Sequence, residues 1–93
     1  MNATQLLAAV QTEVQHGCYS TTSVNLAAAN GQPALLVRES GTVLHVRVTV
    51  EDAEAKSVRL SLVSENLVVH GEAALSNLPL SVVACLALAM VNA

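Results

Sequence analysis

The side chains best suited to chemistry in this sequence alternate with apolar residues along strand-like stretches. They are His45, Arg47, Arg59, His70 and Glu72. Residues two apart in a strand point to the same face of a sheet, so these five are predicted to share one face. A histidine beside a carboxylate can carry a proton near neutral pH, and arginines can bind an anion. The pattern therefore indicates either an anion-binding or acid–base patch, or an ordinary solvated sheet face.

The same predicted face carries more aliphatic residues than a freely solvated face should hold. They are Leu36, Val43, Val63 and Val68. Contact with a partner is therefore a better interpretation of this face than catalysis. We assign His45, Arg47, Arg59 and His70 to a candidate interaction surface.

No familiar motif for an enzyme or a bound group is found. The chain has no Cys-x-x-Cys pair, no Gly-x-Ser-x-Gly turn and no glycine-rich phosphate loop. His16 and Cys18 are too close in the chain to point at one another, so they do not indicate a metal site or a nucleophile. We therefore predict no catalytic, cofactor-binding or metal-binding residues. Cys18 and Cys85 are expected to be reduced, with Cys85 buried and unreactive in an apolar segment.

Residues 3–16 have the period of an amphipathic helix. Apolar residues recur every four positions from Leu6, Asn2 or Thr4 can cap the first turn, and Gly17 marks the end. The apolar stripe is narrow, which predicts a helix that lies on another layer.

From residue 22 the period changes to two, which indicates strands. Asn30-Gly31 is the strongest sequence signal for a two-residue hairpin turn and places Leu26 opposite Leu35. The same treatment of Ser40-Gly41 places Leu35 opposite Val46. All three aliphatic residues are expected to be buried.

Three further stretches alternate in the same way. They cover residues 42–50, 57–63 and 67–73, with Leu67 and Val69 expected to face the core. Together with the first hairpin they predict five consecutive antiparallel strands, which is a β-meander.

Residues 77–92 are predicted to form a second helix, capped by Asn77 or Ser76 and with Pro79 in its first turn. It is apolar on all sides, yet shorter than the roughly 20 residues that a membrane span requires. We expect it to pack on the sheet. Gly71 indicates either a bulge in the last strand or a close approach of this helix, and we prefer the close approach. The remaining surface of the helix is expected to meet a partner through Leu80, Val83, Leu86 and Met90.

The composition restricts the classes of function. Hydrophobic residues make up 53% of the 93 residues, but Tyr19 is the only aromatic residue, and 4 Lys+Arg stand against 7 Asp+Glu. Nucleic-acid binding needs a basic patch and often aromatic rings, so neither nucleic acid nor membrane is an expected partner. The first residues do not form a targeting signal, and a cytoplasmic location is expected.

These elements predict one α+β domain over residues 1–93. Its architecture is a two-layer sandwich, in which a five-stranded antiparallel β-meander carries the N-terminal and the C-terminal helix on one face. The order of elements, the small size and the acidic charge resemble those of the secretion chaperones that bind effector proteins as homodimers. The resemblance is one of architecture: it covers no motif, the middle helix of those proteins has no counterpart here, and it carries over no residue roles.

The aliphatic content exceeds what a monomer of this size needs, which favours a protein that associates with others. The predicted function is a non-enzymatic protein-interaction module, a homodimer acting as an adaptor, chaperone or inhibitor of another protein. A second hypothesis is a carrier of a small apolar ligand, with an aliphatic pocket between sheet and helices. A third is a small enzyme that uses the face of His45 and His70. No cofactor or metal is expected.

Overall fold

The computed structural model describes residues 1–29 and 31–93. In chain order the elements are α1 (Ala3–Gly17), β1 (Thr22–Ala29), β2 (Gln32–Glu39), β3 (His45–Asp52), β4 (Ser57–Val63), β5 (Val69–Leu75) and α2 (Leu80–Val91). The strands form one antiparallel sheet in the order β1-β2-β3-β4-β5. The predicted α+β arrangement, a five-stranded meander with a helix at each end, is confirmed.

Helix α1 begins at a capping box. The Asn2 side chain accepts a hydrogen bond of 2.8 Å from the backbone N–H of Gln5, and the Gln5 side chain accepts one of 2.9 Å from the backbone N–H of Asn2. These bonds satisfy donors that the first turn of a helix leaves unpaired. The buried side is the predicted stripe, formed by Leu6, Leu7, Val10 and Val14.

The β1–β2 hairpin has the predicted register. Leu26 lies opposite Leu35, and Ala29 lies opposite Gln32. Gly31 has a φ of 77°, a left-handed conformation that glycine adopts at little steric cost. Asn30, the other residue of the predicted turn, lies outside the described residues.

The β2–β3 connection is longer than predicted, and its register differs by two residues. Leu35 lies opposite Val48 rather than Val46. Thr42 holds the longer loop, because its backbone N–H and its hydroxyl both donate to the carbonyl of Glu39. A shift of two residues keeps every side chain on its own face, so the alternation of the strand is unchanged.

The last strand starts later than predicted, beside a bulge. Gly71 pairs with Leu62 and Val69 pairs with Val63, with a register shift between the two pairs. Leu67 has a φ of 62°, and Leu67 and Val69 are 70% and 44% exposed, so the expectation that both face the core is wrong. A Cβ on Gly71 would have no neighbour within 4 Å. This glycine therefore belongs to the bulge, and the expected close approach of the helix is wrong.

Helix α2 begins at Leu80 rather than at Asn77. Its N-cap is Pro79, which has no side chain to cap the helix, while Asn77 is in the left-handed region with a φ of 55°. Cys85 is exposed, so the expected burial of its thiol is also wrong. Cys85 is exposed because the side of α2 that meets the sheet is formed by Val83, Ala84, Ala87 and Val91.

Both helices cover the same face of the sheet. Helix α1 contacts β1, β2 and β3, helix α2 contacts β2, β3 and β4, and the two helices contact each other. The buried core between the layers consists of Leu6, Leu7, Val10, Val14, Val24, Leu35, Val37, Val46, Val48, Val58, Leu60, Val83, Ala84, Ala87 and Val91. Leu26 lies farther along the edge strand β1 and is 42% exposed, so its expected burial is wrong.

The pair Leu26 and Leu35 tests this packing, because the two residues face each other but differ in burial, at 42% and 0% exposed. We expect Leu35→Ala to lower the free energy of unfolding by about 2–5 kcal/mol, since it leaves a cavity in the core. Leu26→Ala, the matched control, should cost less than about 1 kcal/mol. Equilibrium unfolding in denaturant measures both values, and equal losses would contradict the packing.

Candidate functional site on the uncovered sheet face

The face of the sheet opposite the helices is called the outer face. It carries Ala34, Leu36, His45, Arg47, Thr49, Arg59, Ser61, Val63 and Glu72. Ala34, His45, Ser61 and Val63 are buried although neither helix lies over them. Neighbouring strands and loops bury these side chains, which indicates a concave face.

One end of the outer face is closed by ion pairs. The Nε atom of Arg59 lies 2.7 Å from Oε1 of Glu51, and its Nη1 atom lies 2.7 Å from Oε2 of Glu72. Hydrogen bonds to Glu72 and then to Glu51 raise the pKa of Arg59. Two carboxylates already neutralise this guanidinium, so Arg59 links β3, β4 and β5 and is not available to an anion.

The other end of the outer face contains a depression of about 310 Å³, which we call the His45 groove. It is lined by Ala27, Ala28, Ala34, Leu36, Arg38, His45, Arg47, Glu65 and Leu67. A neighbouring depression of about 320 Å³ shares Arg38, His45 and Glu65 with it. The groove thus combines small aliphatic walls with a few charged and polar groups.

Two polar atoms of the His45 groove have no hydrogen-bond partner among the described residues. They are Nδ1 of His45, a residue only 7% exposed, and Nε of Arg47. A buried polar group without a partner costs about 1–3 kcal/mol, and most buried polar groups in proteins are paired. The arginine Nε carries a hydrogen, and the imidazole Nδ1 carries one in one of its neutral tautomers. Both atoms can donate, and no acceptor of the described residues lies within hydrogen-bond distance of either.

The charges around the His45 groove are unbalanced. Within the described part of the chain both ion pairs belong to Arg59, so Arg38 and Arg47 have no carboxylate within 4.0 Å. Burial lowers the pKa of His45. The positive charges of Arg38 and Arg47 lower this pKa further, and the negative charge of Glu65 partly opposes the shift. The imidazole is therefore neutral at pH 7, and two positive charges face one negative charge.

The structure does not bring His45 and His70 together. His45 pairs with Val63 on β4, and Val63 pairs with Val69 on β5, so a whole strand separates the two histidines. Two strand spacings amount to about 10 Å. His70 is exposed on the edge strand, whereas His45 is buried. The four predicted surface residues of the sheet thus fall into three places, and only His45 and Arg47 share one.

The second predicted surface lies on helix α2. Its outward side is formed by Val82, Cys85, Leu86 and Ala89, which we call the α2 stripe. Val82 and Leu86 are 40% and 38% exposed. Of the residues predicted to meet a partner, Leu86 belongs to this stripe. Leu80 and Met90 are half-buried against the core, and Val83 is part of the core and therefore not available to a partner.

Sequence reasoning missed the three alanines of the His45 groove and also Arg38, Glu65 and Leu67. The sequence could have identified Arg38, because Arg38 is two residues from Leu36 on the same strand and so lies on the same face. Glu65 and Leu67 reach the groove from the β4–β5 loop, where Leu67 has a φ of 62°. No alternation pattern indicates such a conformation.

Comparison of the chain with protein-family models, curated protein sequences and solved structures finds no match. Within residues 1–29 and 31–93, no helix is long and apolar enough to cross a membrane. The same residues contain no group of three or more His, Cys, Asp or Glu side chains that could hold a metal ion. The function has to be argued from the two surfaces, the outer face and the α2 stripe.

The burial of neutral His45 predicts a pH dependence of stability. Unfolding frees the imidazole to bind a proton below its ordinary pKa of about 6.5. The contribution of His45 to the free energy of unfolding should thus be complete above about pH 6.5. It should be lost as the pH falls through the pKa of His45 in the folded protein, which is lower. The slope of this loss is at most about 1.4 kcal/mol per pH unit. Denaturant unfolding at several pH values measures this slope.

The variant His45→Gln should remove that part of the pH dependence. His70→Gln is the matched control, because His70 is exposed, and it should keep the slope of the native protein. An unchanged slope in His45→Gln would contradict the assignment.

Proposed function

We propose that the protein is a non-enzymatic protein-interaction module that works as a homodimer, serving as an adaptor, chaperone or inhibitor of another protein. The observation that carries the proposal is the α2 stripe. It exposes aliphatic side chains in a row on a helix whose opposite side is already buried. Apolar surface of this kind is typical of a contact with another chain.

A second copy of the same chain is the occupant that best matches the α2 stripe. The sequence from Ser76 to Ala93 contains no charged residue, so a two-fold contact between α2 helices brings no like charges together. Positions 82, 85, 86 and 89 have the spacing of a helix-pairing seam. Cys85 and Ala89 are small, which lets two helix axes approach closely. Two-fold dimers are also the commonest symmetric assemblies.

A dimer formed through α2 leaves the outer face free. The helices and the outer face lie on opposite sides of the sheet, so the contact of one does not cover the other. Each dimer would then present two outer faces to a partner protein, which suits an adaptor or a chaperone.

The carrier hypothesis predicted an aliphatic pocket between the sheet and the helices, and the packing there does not support it. Leu6 and Leu7 of α1 and Leu35 and Leu60 of the sheet are 0% exposed, so side chains fill the space in which that pocket was expected. The enzyme hypothesis also lacks a supporting observation, since β4 separates the two histidines that it requires.

The dimer is tested by introducing a charge into the α2 stripe. We expect the native protein to sediment with the mass of two chains at about 50 µM and Leu86→Glu to sediment as one chain, because a buried unpaired carboxylate is unfavourable. Leu67→Glu is the matched control: Leu67 is 70% exposed and lies far from α2 in the fold, so this variant should remain dimeric. A native protein that sediments as a monomer at this concentration would overturn the proposal.

Cys85 provides a second measurement on the same contact. Its thiol is exposed in the single chain and would be covered in the dimer. Its labelling by a thiol reagent, measured in a Cys18→Ser background, should therefore slow as the protein concentration rises, and should not depend on concentration in Leu86→Glu. Equal labelling rates at all concentrations of the native protein would count against the α2 contact even if another dimer formed.

A further inference from the structure

We infer that the His45 groove binds a small aliphatic monocarboxylate. The carboxylate would lie among Arg38, His45 and Arg47, and the hydrocarbon chain would lie along Leu36 and the alanines of the groove. The inference is independent of the proposed function, because it concerns the outer face and requires no dimer. It assigns a ligand class to the one place in the described structure where polar groups converge without partners.

The need for an acceptor follows from the unpaired donors. Nε of Arg47 and Nδ1 of His45 belong to residues two apart on β3, so both side chains lie on the same face about 7 Å apart along the strand. A carboxylate has two oxygen atoms and accepts from two donors at once. Both atoms are buried, so the imidazole and the guanidinium must turn toward the groove to reach the ligand. The rotation is favoured because pairing these donors with the carboxylate removes the free-energy cost of leaving them unpaired.

The charge of the groove indicates a monoanion. Arg38 and Arg47 are positive, Glu65 is negative, and the buried imidazole of His45 is neutral, which leaves one uncompensated positive charge. A carboxylate, with one negative charge, neutralises it. A phosphate near neutral pH carries between one and two negative charges and would leave the groove with excess negative charge.

The walls of the groove indicate an aliphatic ligand of limited size. Leu36 lies directly opposite Arg47 in the β2–β3 pairing, so apolar surface begins beside the charged group. Ala27 and Ala34, which pair across β1 and β2, continue that surface and are small enough to leave the groove open. Its volume of about 310 Å³ is at the lower end of the roughly 300–1,000 Å³ of small-molecule sites, which indicates a small ligand. Octanoate, a short-chain monocarboxylate, is the probe of choice.

The direct test is a titration of the isotope-labelled native protein with sodium octanoate at pH 7, followed by amide NMR shifts. We expect saturable binding with a Kd on the order of 0.1–1 mM, as for a ligand of this size with one charge-assisted contact. The shifts should map to residues 34–38, 45–47 and 64–67. Acetate, 1-octanol and inorganic phosphate serve as probes for the chain, the charge and the type of anion, and each should bind at least about tenfold more weakly.

Variants separate the groove from other surfaces. Arg47→Met and Arg38→Met keep the length of the side chain and remove its charge, and each should weaken octanoate binding about tenfold or more. Arg38 is exposed, so its variant should fold even if Arg47→Met does not. Arg59→Met is the matched control on the same face, and it should bind octanoate as the native protein does, because Arg59 is held by Glu51 and Glu72.

Several results would overturn the inference. They are the absence of saturable binding up to about 10 mM, equal binding of 1-octanol and octanoate, tighter binding of phosphate than of octanoate, and shifts that map to α2. Loss of binding in Arg59→Met but not in Arg38→Met would also exclude the groove. A native protein that proves monomeric while octanoate still binds would remove the proposed dimer and leave this site intact.

Discussion

The burial of a single face of the sheet by both helices is the constraint on which the rest of this structure depends. Side chains alternate between the two faces of every strand, so the position of the helices decides at once which residues form the core and which do not. The core is entirely aliphatic and rich in valine and leucine. Branched side chains suit both requirements, because they favour extended backbone and interdigitate without aromatic rings to fill larger gaps.

Neither α1 nor α2 covers the outer face of the sheet, and its charged residues are arranged differently at its two ends. At one end Arg59 meets two carboxylates at 2.7 Å, so each of these three groups contacts one of opposite charge. At the other end Arg38, Arg47 and His45 line a groove with a single carboxylate, that of Glu65, and two buried polar atoms remain unpaired among the described residues. The two ends share strand β3 and differ in the ratio of carboxylates to arginines. Local arrangements that lower stability are found most often where a protein binds something.

Much of the fold followed from local signals in the sequence. The capping box at Asn2, the apolar stripe of α1 and the β1–β2 register were predictable, because each depends on residues near one another in the chain. The alternation also assigned the inner and outer faces of β3 correctly. What failed depended on interactions that no pattern contains: the hydroxyl of Thr42 extended a loop, and a bulge at Gly71 displaced the start of β5.

The candidate site was predictable only in part for the same reason. His45 and Arg47 were found because they alternate on one strand, but their burial depends on a loop that contributes Glu65 and Leu67. Exposure on α2 was misjudged at Cys85 and Val83, because a helix that is apolar on all sides gives no indication of which side meets the sheet. Composition therefore marked α2 as unusual without indicating which of its residues are exposed.

The arrangement of the elements along the chain has a consequence for how the protein is made. Every strand pairs with its neighbour in sequence, so the sheet can assemble through short loop closures that are rapid and cost little entropy. The aliphatic face of that sheet needs both α1 and α2, which lie at opposite ends of the meander. During synthesis, the meander can therefore form on the ribosome while half of its inner face is still uncovered. The nascent chain stays vulnerable to aggregation until α2 has emerged and docked.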